Sequence, residues 1–161
     1  MLIDVALKLA DTELQNDVYF VFSAQEEVGC RGAKTAAFAI APDYAIAFDT
    51  TTSGDMLGSP PRACELGGGV CIKLMDASAI CSRELTDTLT SLAKEAGIPH
   101  QRELKQYGGT DTGAMQMAGS GAKAGALTVP IRYTHTCREV VDLRDAKACS
   151  ALTVEFLKKV K

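Results

Sequence analysis

Two adjacent carboxylates, Glu26 and Glu27, follow an apolar run and precede Gly29, and a third, Asp49, follows Phe48 at the end of the next apolar run. Carboxylates can serve as hard oxygen ligands for a divalent ion or as a general base. Zinc sites normally add at least one imidazole, and the chain has only two histidines. His135, in Arg132-Tyr133-Thr134-His135-Thr136 just after a predicted strand, is placed for ligation. His100, between Pro99 and Gln101 in a helix-to-strand connection, reads as a solvated loop residue. Each acidic or imidazole side chain also has a plainer reading, as a surface turn, a cap or hydrogen-bonded scaffold. Their shared position after strands favours chemistry, because open α/β sheets bind ligands beyond the carboxyl ends of their strands.

The elements that must hold these residues alternate. Leu2, Val5, Ala6, Leu9 and Ala10 have helical spacing, with Asp4, Lys8 and Asp11 opposite them, and no capping residue precedes them, so the chain reads as starting inside an element. Val18–Phe22 is a β-branched and aromatic run expected to form a central parallel strand buried on both faces. An Ala-rich helix over Ala33–Ile40 and a strand over Tyr44–Phe48 complete a strand-helix-strand unit. Gly67-Gly68-Gly69 introduces a strand over Val70–Leu74, and Ser82 caps a helix bearing Leu85, Leu89, Leu92 and Ala96, which Gly97 and Pro99 stop. A Gly-rich loop around Gly108, a strand near Ala126–Val129 and a helix capped by Asp142 follow. Lys158, Lys159 and Lys161 fall in the last turn of that helix, where the helix dipole favours cations. The pattern predicts one α/β domain of three layers, α/β/α, around a mostly parallel or mixed sheet.

Composition narrows the partners. The net charge of -3 comes without a basic block, so neither nucleic acid nor an anionic membrane has an electrostatic footprint. The longest uncharged stretch, Thr112–Ala122, is too short and too rich in glycine to span a bilayer, and the first residues lack the pattern of a secretory signal, which together predict a cytoplasmic location. The six cysteines show no Cys-x-x-Cys spacing and are expected to be small buried apolar residues in a reducing compartment.

The string Gln25-Glu26-Glu27-Val28-Gly29-Cys30-Arg31-Gly32-Ala33 resembles the Gln-Glu-Glu-Val-Gly-x-Arg-Gly-Ala motif of the glutamyl and deblocking (tetrahedral, "TET") aminopeptidases. Ala47-Phe48-Asp49-Thr50, Gly108-Gly109-Thr110-Asp111 and Pro130–His135 running into Glu139–Leu143 resemble further family motifs in the same order, so the likeness covers essentially all of residues 1–161. The resemblance implies a phosphorylase/peptidase-like fold and two metal ions, zinc or cobalt, that hydrolyse the N-terminal peptide bond of short peptides. It implies Glu26 as the general base, Glu27 and His135 as ligands of one ion, Asp49 as a ligand of the other, and Gly109, Thr110 and Asp111 as the substrate-binding loop.

The same resemblance implies a metal-bridging aspartate, an early histidine ligand and an inserted dimerisation domain that these 161 residues do not contain. The sequence therefore reads as the C-terminal portion of the catalytic domain, N-terminally incomplete, binding at most one metal weakly and impaired as a peptidase by itself. Apolar surface left uncovered would favour self-association, and homo-oligomers are a family property. Two alternatives stand beside this reading. One is an inactive remnant or assembly subunit. The other is a glycosidase, since some relatives carry endoglucanase labels; it is weaker because adjacent Glu26 and Glu27 do not flank a glycosidic bond and the chain has no tryptophan.

Overall fold

The computed structural model describes residues 1–59 and 64–160. In chain order the elements are α1 (Leu2–Leu9), α2 (Arg31–Ile40), β1 (Tyr44–Thr52), β2 (Val70–Met75), α3 (Arg83–Glu95), β3 (His100–Leu104), α4 (Asp111–Gln116), β4 (Lys123–Arg132), β5 (Val140–Val141) and α5 (Leu143–Lys159). The sheet order is β1-β4-β2-β3, with β5 on the end of β4. Pairs β1/β4 and β2/β3 are parallel, whereas β2/β4 and β4/β5 are antiparallel, so the sheet is mixed.

One sheet face is covered by α3 and α5, with α1 packed on α5; α2 and α4 pack together on the other face, α4 against β1 and β4. This is the expected α/β/α arrangement. The core joins Val70 and Ile72 of β2, Leu127 and Val129 of β4, Leu85, Leu89 and Leu92 of α3, and Leu152 and Phe156 of α5. Burying each large aliphatic side chain contributes about 1.5–3 kcal/mol. Nearly all of β4 is buried, consistent with a strand covered on both faces.

Capping follows the sequence. The Ser82 hydroxyl accepts the Leu85 N–H at 3.4 Å and the Asp142 carboxylate accepts the Arg144 N–H at 2.8 Å. Asp145, fully buried one turn later, accepts the N–H groups of Gly67 and Gly69 at 2.8 Å each, tying the glycine loop before β2 to α5. Gly69 has φ +97° and lies so close to the Pro99 carbonyl that a Cβ would stand 2.1 Å from its oxygen, a place only glycine can occupy. Lys158 and Lys159 end α5 as expected; Lys161 lies outside the described residues.

The expected strand over Val18–Phe22 is not formed. These residues are irregular, Tyr19 and Phe22 are 63% and 67% exposed, and no ladder bonds them to any strand among the described residues. A strand exists by its hydrogen-bonded neighbours, which propensity alone does not supply. β1 accordingly forms one end of the strand order. The cysteine reading holds for Cys64, Cys71, Cys81 and Cys149, but Cys30 is half-buried and Cys137 exposed.

Candidate active site

Glu26 and Glu27 lie on a tight loop leading into α2. The Glu26 carbonyl accepts the N–H groups of Gly29 and Cys30 at 3.0 and 2.9 Å, and the Ala24 carbonyl accepts that of Gly32 at 2.9 Å. A Cβ on Gly32 would lie 2.5 Å from the Ala24 nitrogen, so the loop can close onto α2 only over a glycine. Gln25 and Cys30 adopt left-handed backbone at φ 61° and 51°, and so do Tyr133 and His135 at 60° and 61°. Among the described residues, four of the five non-glycine residues with positive φ thus lie at or beside the candidate residues. Backbone strain of this kind gathers at functional sites.

The structure brings these side chains into two adjoining groups. In the first, Glu26, Cys30 and Asp111 have potential ligand atoms within 4.8 Å of one another. The Cys30 thiol lies 3.9 Å from Glu26 Oε1 and 3.6 Å from the Thr110 carbonyl oxygen. The Ser23 hydroxyl donates to Asp111 Oδ2 at 2.6 Å, while Asp111 Oδ1 is buried without a hydrogen-bond partner. In the second, His135 Nε2 approaches Glu27 Oε1 to 3.6 Å, with both side chains about three-quarters exposed. The His135 N–H donates to Glu139 Oε1 at 2.6 Å, bracing the turn between β4 and β5.

Asp49, on β1, lies near enough to the first group for its charge to act on Glu26. It lies inside that strand rather than directly after it, because Thr50, Thr51 and Thr52 extend the ladder alongside Val129–Ile131. Its Oδ1 accepts the Thr50 N–H at 2.6 Å. Burial holds the Asp49 carboxyl above its ordinary value, opposed by the Thr50 N–H and the Lys73 and Lys105 charges. The Glu26 carboxyl is also raised, first by burial and then by the negative charges of Asp49, Glu27 and Asp111. Burial pushes the Cys30 thiol up to about 11.

Thr110 is buried and caps the short helix α4, which begins at Asp111. Gly109 packs so closely on Ser78 that a Cβ would be 2.7 Å from its hydroxyl. His100 stands apart from the site. It opens β3, is half-buried and has Nδ1 2.9 Å from the Ile98 carbonyl, so it is scaffold in place of the expected solvated loop residue. A cleft of about 550 Å³ lined by Asp55–Ser59, Arg132 and Tyr133 includes none of the candidate carboxylates.

Cys30 and Ser23 were not singled out in the sequence, although both lie within or beside the Gln-Glu-Glu string. Also missed was a buried ionic group, Lys73, Asp76 and Glu103. A lysine inside the apolar run Val70–Leu74 was its one visible signal, since a buried ammonium requires a partner.

The sequence pattern of the M42 glutamyl aminopeptidases matches residues 1–152. This chain is a member of the M42 glutamyl aminopeptidase family. A lysyl aminopeptidase from Pyrococcus furiosus is 35% identical to this M42 chain over 161 residues, 99% of the chain and 45% of the relative. The crystal structure of a TET aminopeptidase from a marine-sediment Thaumarchaeota archaeon superposes with a TM-score of 0.95 at 31% identity, over 99% of this chain and 46% of that one. A Pyrococcus horikoshii TET peptidase, described as assembling into a tetrahedron or an octahedral shell, gives 0.86 at 36% identity, over 99% and 46% of the two chains. A Thermotoga maritima structure named an endoglucanase gives 0.74 at 28% identity, over 98% and 45%. The M42 chain thus spans about half the length of the relatives it matches.

Proposed function

We propose that this chain carries the base-and-ligand portion of a metal-dependent aminopeptidase site, acting on the N-terminal peptide bond of short peptides. The observation that carries the reading is the convergence of Glu26, Asp111 and Asp49 beside the Glu27–His135 pair, drawn from four separated stretches of sequence. The donor set fits divalent cations. Asp111 Oδ1 is buried and unpartnered, and burial together with the crowded carboxylates raises the Glu26 pKa, a cost that a cation would offset. Glu27 and His135 would hold one ion and Asp49 a second, zinc or cobalt. When bound, such ions supply Lewis-acid polarisation of a carbonyl and acidify a water.

The remaining roles belong to the chain itself. Glu26 accepts the proton of the attacking water, a task suited to a carboxylate whose proton affinity is raised by burial and by its acidic neighbours. The Gly109-Thr110-Asp111 loop receives the substrate backbone, and Asp111 orients its amino terminus through a charge-assisted hydrogen bond. Self-association is part of the proposal: β1 is an end strand, and Tyr19, Phe22 and Val28 are exposed. A cytoplasmic location is proposed from the residue pattern; among the described residues no helix is long and apolar enough to cross a membrane.

The isolated 161 residues should bind one zinc ion weakly through Glu27 and His135 and hydrolyse peptides poorly, because the resemblance implies further ligands beyond them. The test is hydrolysis of aminoacyl-p-nitroanilides with zinc or cobalt, with and without the complementary half of a close relative, alongside zinc calorimetry. Activity gained on mixing supports the reading. Two tight zinc sites on the chain alone would refute the account of the ligands, and silence in both arms would favour the inactive remnant.

A further inference from the structure

Lys73, in the middle of β2, is completely buried, and its Nζ lies 3.1 Å from Asp76 Oδ2 and 3.5 Å from Glu103 Oε1. A buried ammonium is tolerated only when paired, so a fully enclosed ionic triad is an expensive device that hydrophobic residues could replace. Its two arms lead to the two sides of the candidate site.

On one arm, Asp76 Oδ1 accepts the Ser78 N–H at 2.8 Å, the Ser78 hydroxyl at 2.7 Å and the Ala79 N–H at 3.0 Å, closing a turn. That turn is the bed of the glycine loop. The Ala77 N–H donates to the Gly108 carbonyl at 3.0 Å, and Ser78 packs against Gly109 and Gly113 with no room for a Cβ on either. The Thr110 hydroxyl stands 3.5 Å from Asp76 Oδ2, and Thr110 caps the helix that opens with Asp111. On the other arm, Glu103 accepts the hydroxyls of Thr51 and Thr128, each at 2.5 Å. Thr51 lies two residues beyond Asp49 on β1.

We propose that Lys73 is a positioning residue for this site, fixing the Gly108–Gly113 loop and Asp111 through Asp76, and the Asp49 strand through Glu103. The inference rests on the peptidase reading for its purpose but not for its geometry.

The experiment is amide hydrogen exchange by NMR on the whole metal-free chain, with Lys73→Met, Lys73→Arg, Asp76→Asn and Glu103→Gln. Reporters are the Ala77 amide, bonded to Gly108, and the Thr112 amide, bonded to Thr110 Oγ1. Lys73→Met is expected to speed exchange at both by about tenfold or more while the α5 amides keep their protection. Lys73→Arg, which retains the charge, is expected to restore most of the protection, and Glu103→Gln to leave both reporters unmoved. Unchanged reporters in a folded Lys73→Met chain, or an arginine variant no better than the methionine one, would overturn the proposal. If Lys73→Met does not fold, Asp76→Asn decides: faster exchange at Ala77 and Thr112 supports the coupling and unchanged exchange defeats it. Exchange requires no turnover, so a loop response in a chain that stays silent even when mixed with the complementary half defeats the peptidase reading alone. An active chain with an unresponsive loop defeats the positioning inference alone.

Discussion

Replacing Glu26 by Gln should make the metal-free chain more stable at neutral pH, although it removes the proposed base. Glu26 and Asp111 have carboxylate oxygens within 4.8 Å of each other, and Asp49 and Glu27 add further negative charge. At that separation the Coulomb repulsion of one pair is about 0.9 kcal/mol in bulk water and about 3.5 kcal/mol at an effective dielectric of about 20. Glu26 is partly exposed, so solvent and salt screening reduce the expected gain to about 0.5–1 kcal/mol. For a chain of this length that raises the melting temperature by about 1–4 °C. The pH dependence is fixed in sign. A carboxyl with a raised folded-state pKa binds more protons folded than unfolded, so its contribution to stability falls as pH rises from its ordinary value of 4.5 through the raised value. The variant's advantage should be absent below the ordinary value of 4.5, grow as pH rises through the raised value, and be smaller in high salt. The assay is thermal unfolding in a chelator at pH 3.5 and 7 and at two salt concentrations. An equal gain at both pH values, or destabilisation at pH 7, would refute the crowded-carboxylate account.

Other expectations follow from single contacts. Asp145→Ala orphans the buried N–H of Gly69 and releases the more exposed N–H of Gly67, and should cost about 1–4 kcal/mol in urea unfolding. Gly69→Ala combines a left-handed φ with a Cβ 2.1 Å from a carbonyl oxygen and should prevent folding of the β2 region, read as lost amide dispersion. His135→Ala and Glu27→Ala should each abolish the weak zinc heat of the isolated chain without lowering its melting temperature by more than about 0.5 kcal/mol equivalent, because both side chains are mostly exposed.

Local chemistry made much of this protein legible before its structure. Ser82 and Asp142 are caps because a side-chain oxygen can satisfy free N–H groups wherever a helix begins, and Gly69 and Gly97 mark left-handed turns for equally local reasons. The alternation of elements was enough for an α/β/α sandwich, and the Gln-Glu-Glu string for a candidate site. Non-local partners decided the rest. Val18–Phe22 has every strand preference yet lacks a ladder, while His100–Leu104 forms a strand because β2 lies alongside it. Asp49 lies within β1 because Thr50–Thr52 find partners on β4. Lys73 stands out only as a charge within an apolar run, its partners Asp76 and Glu103 lie up to thirty positions away, and only the fold encloses the three as one ionic group. Propensity and capping act over a few bonds and are written in the chain, whereas pairing and burial of charge depend on which segments meet, which tertiary structure alone decides.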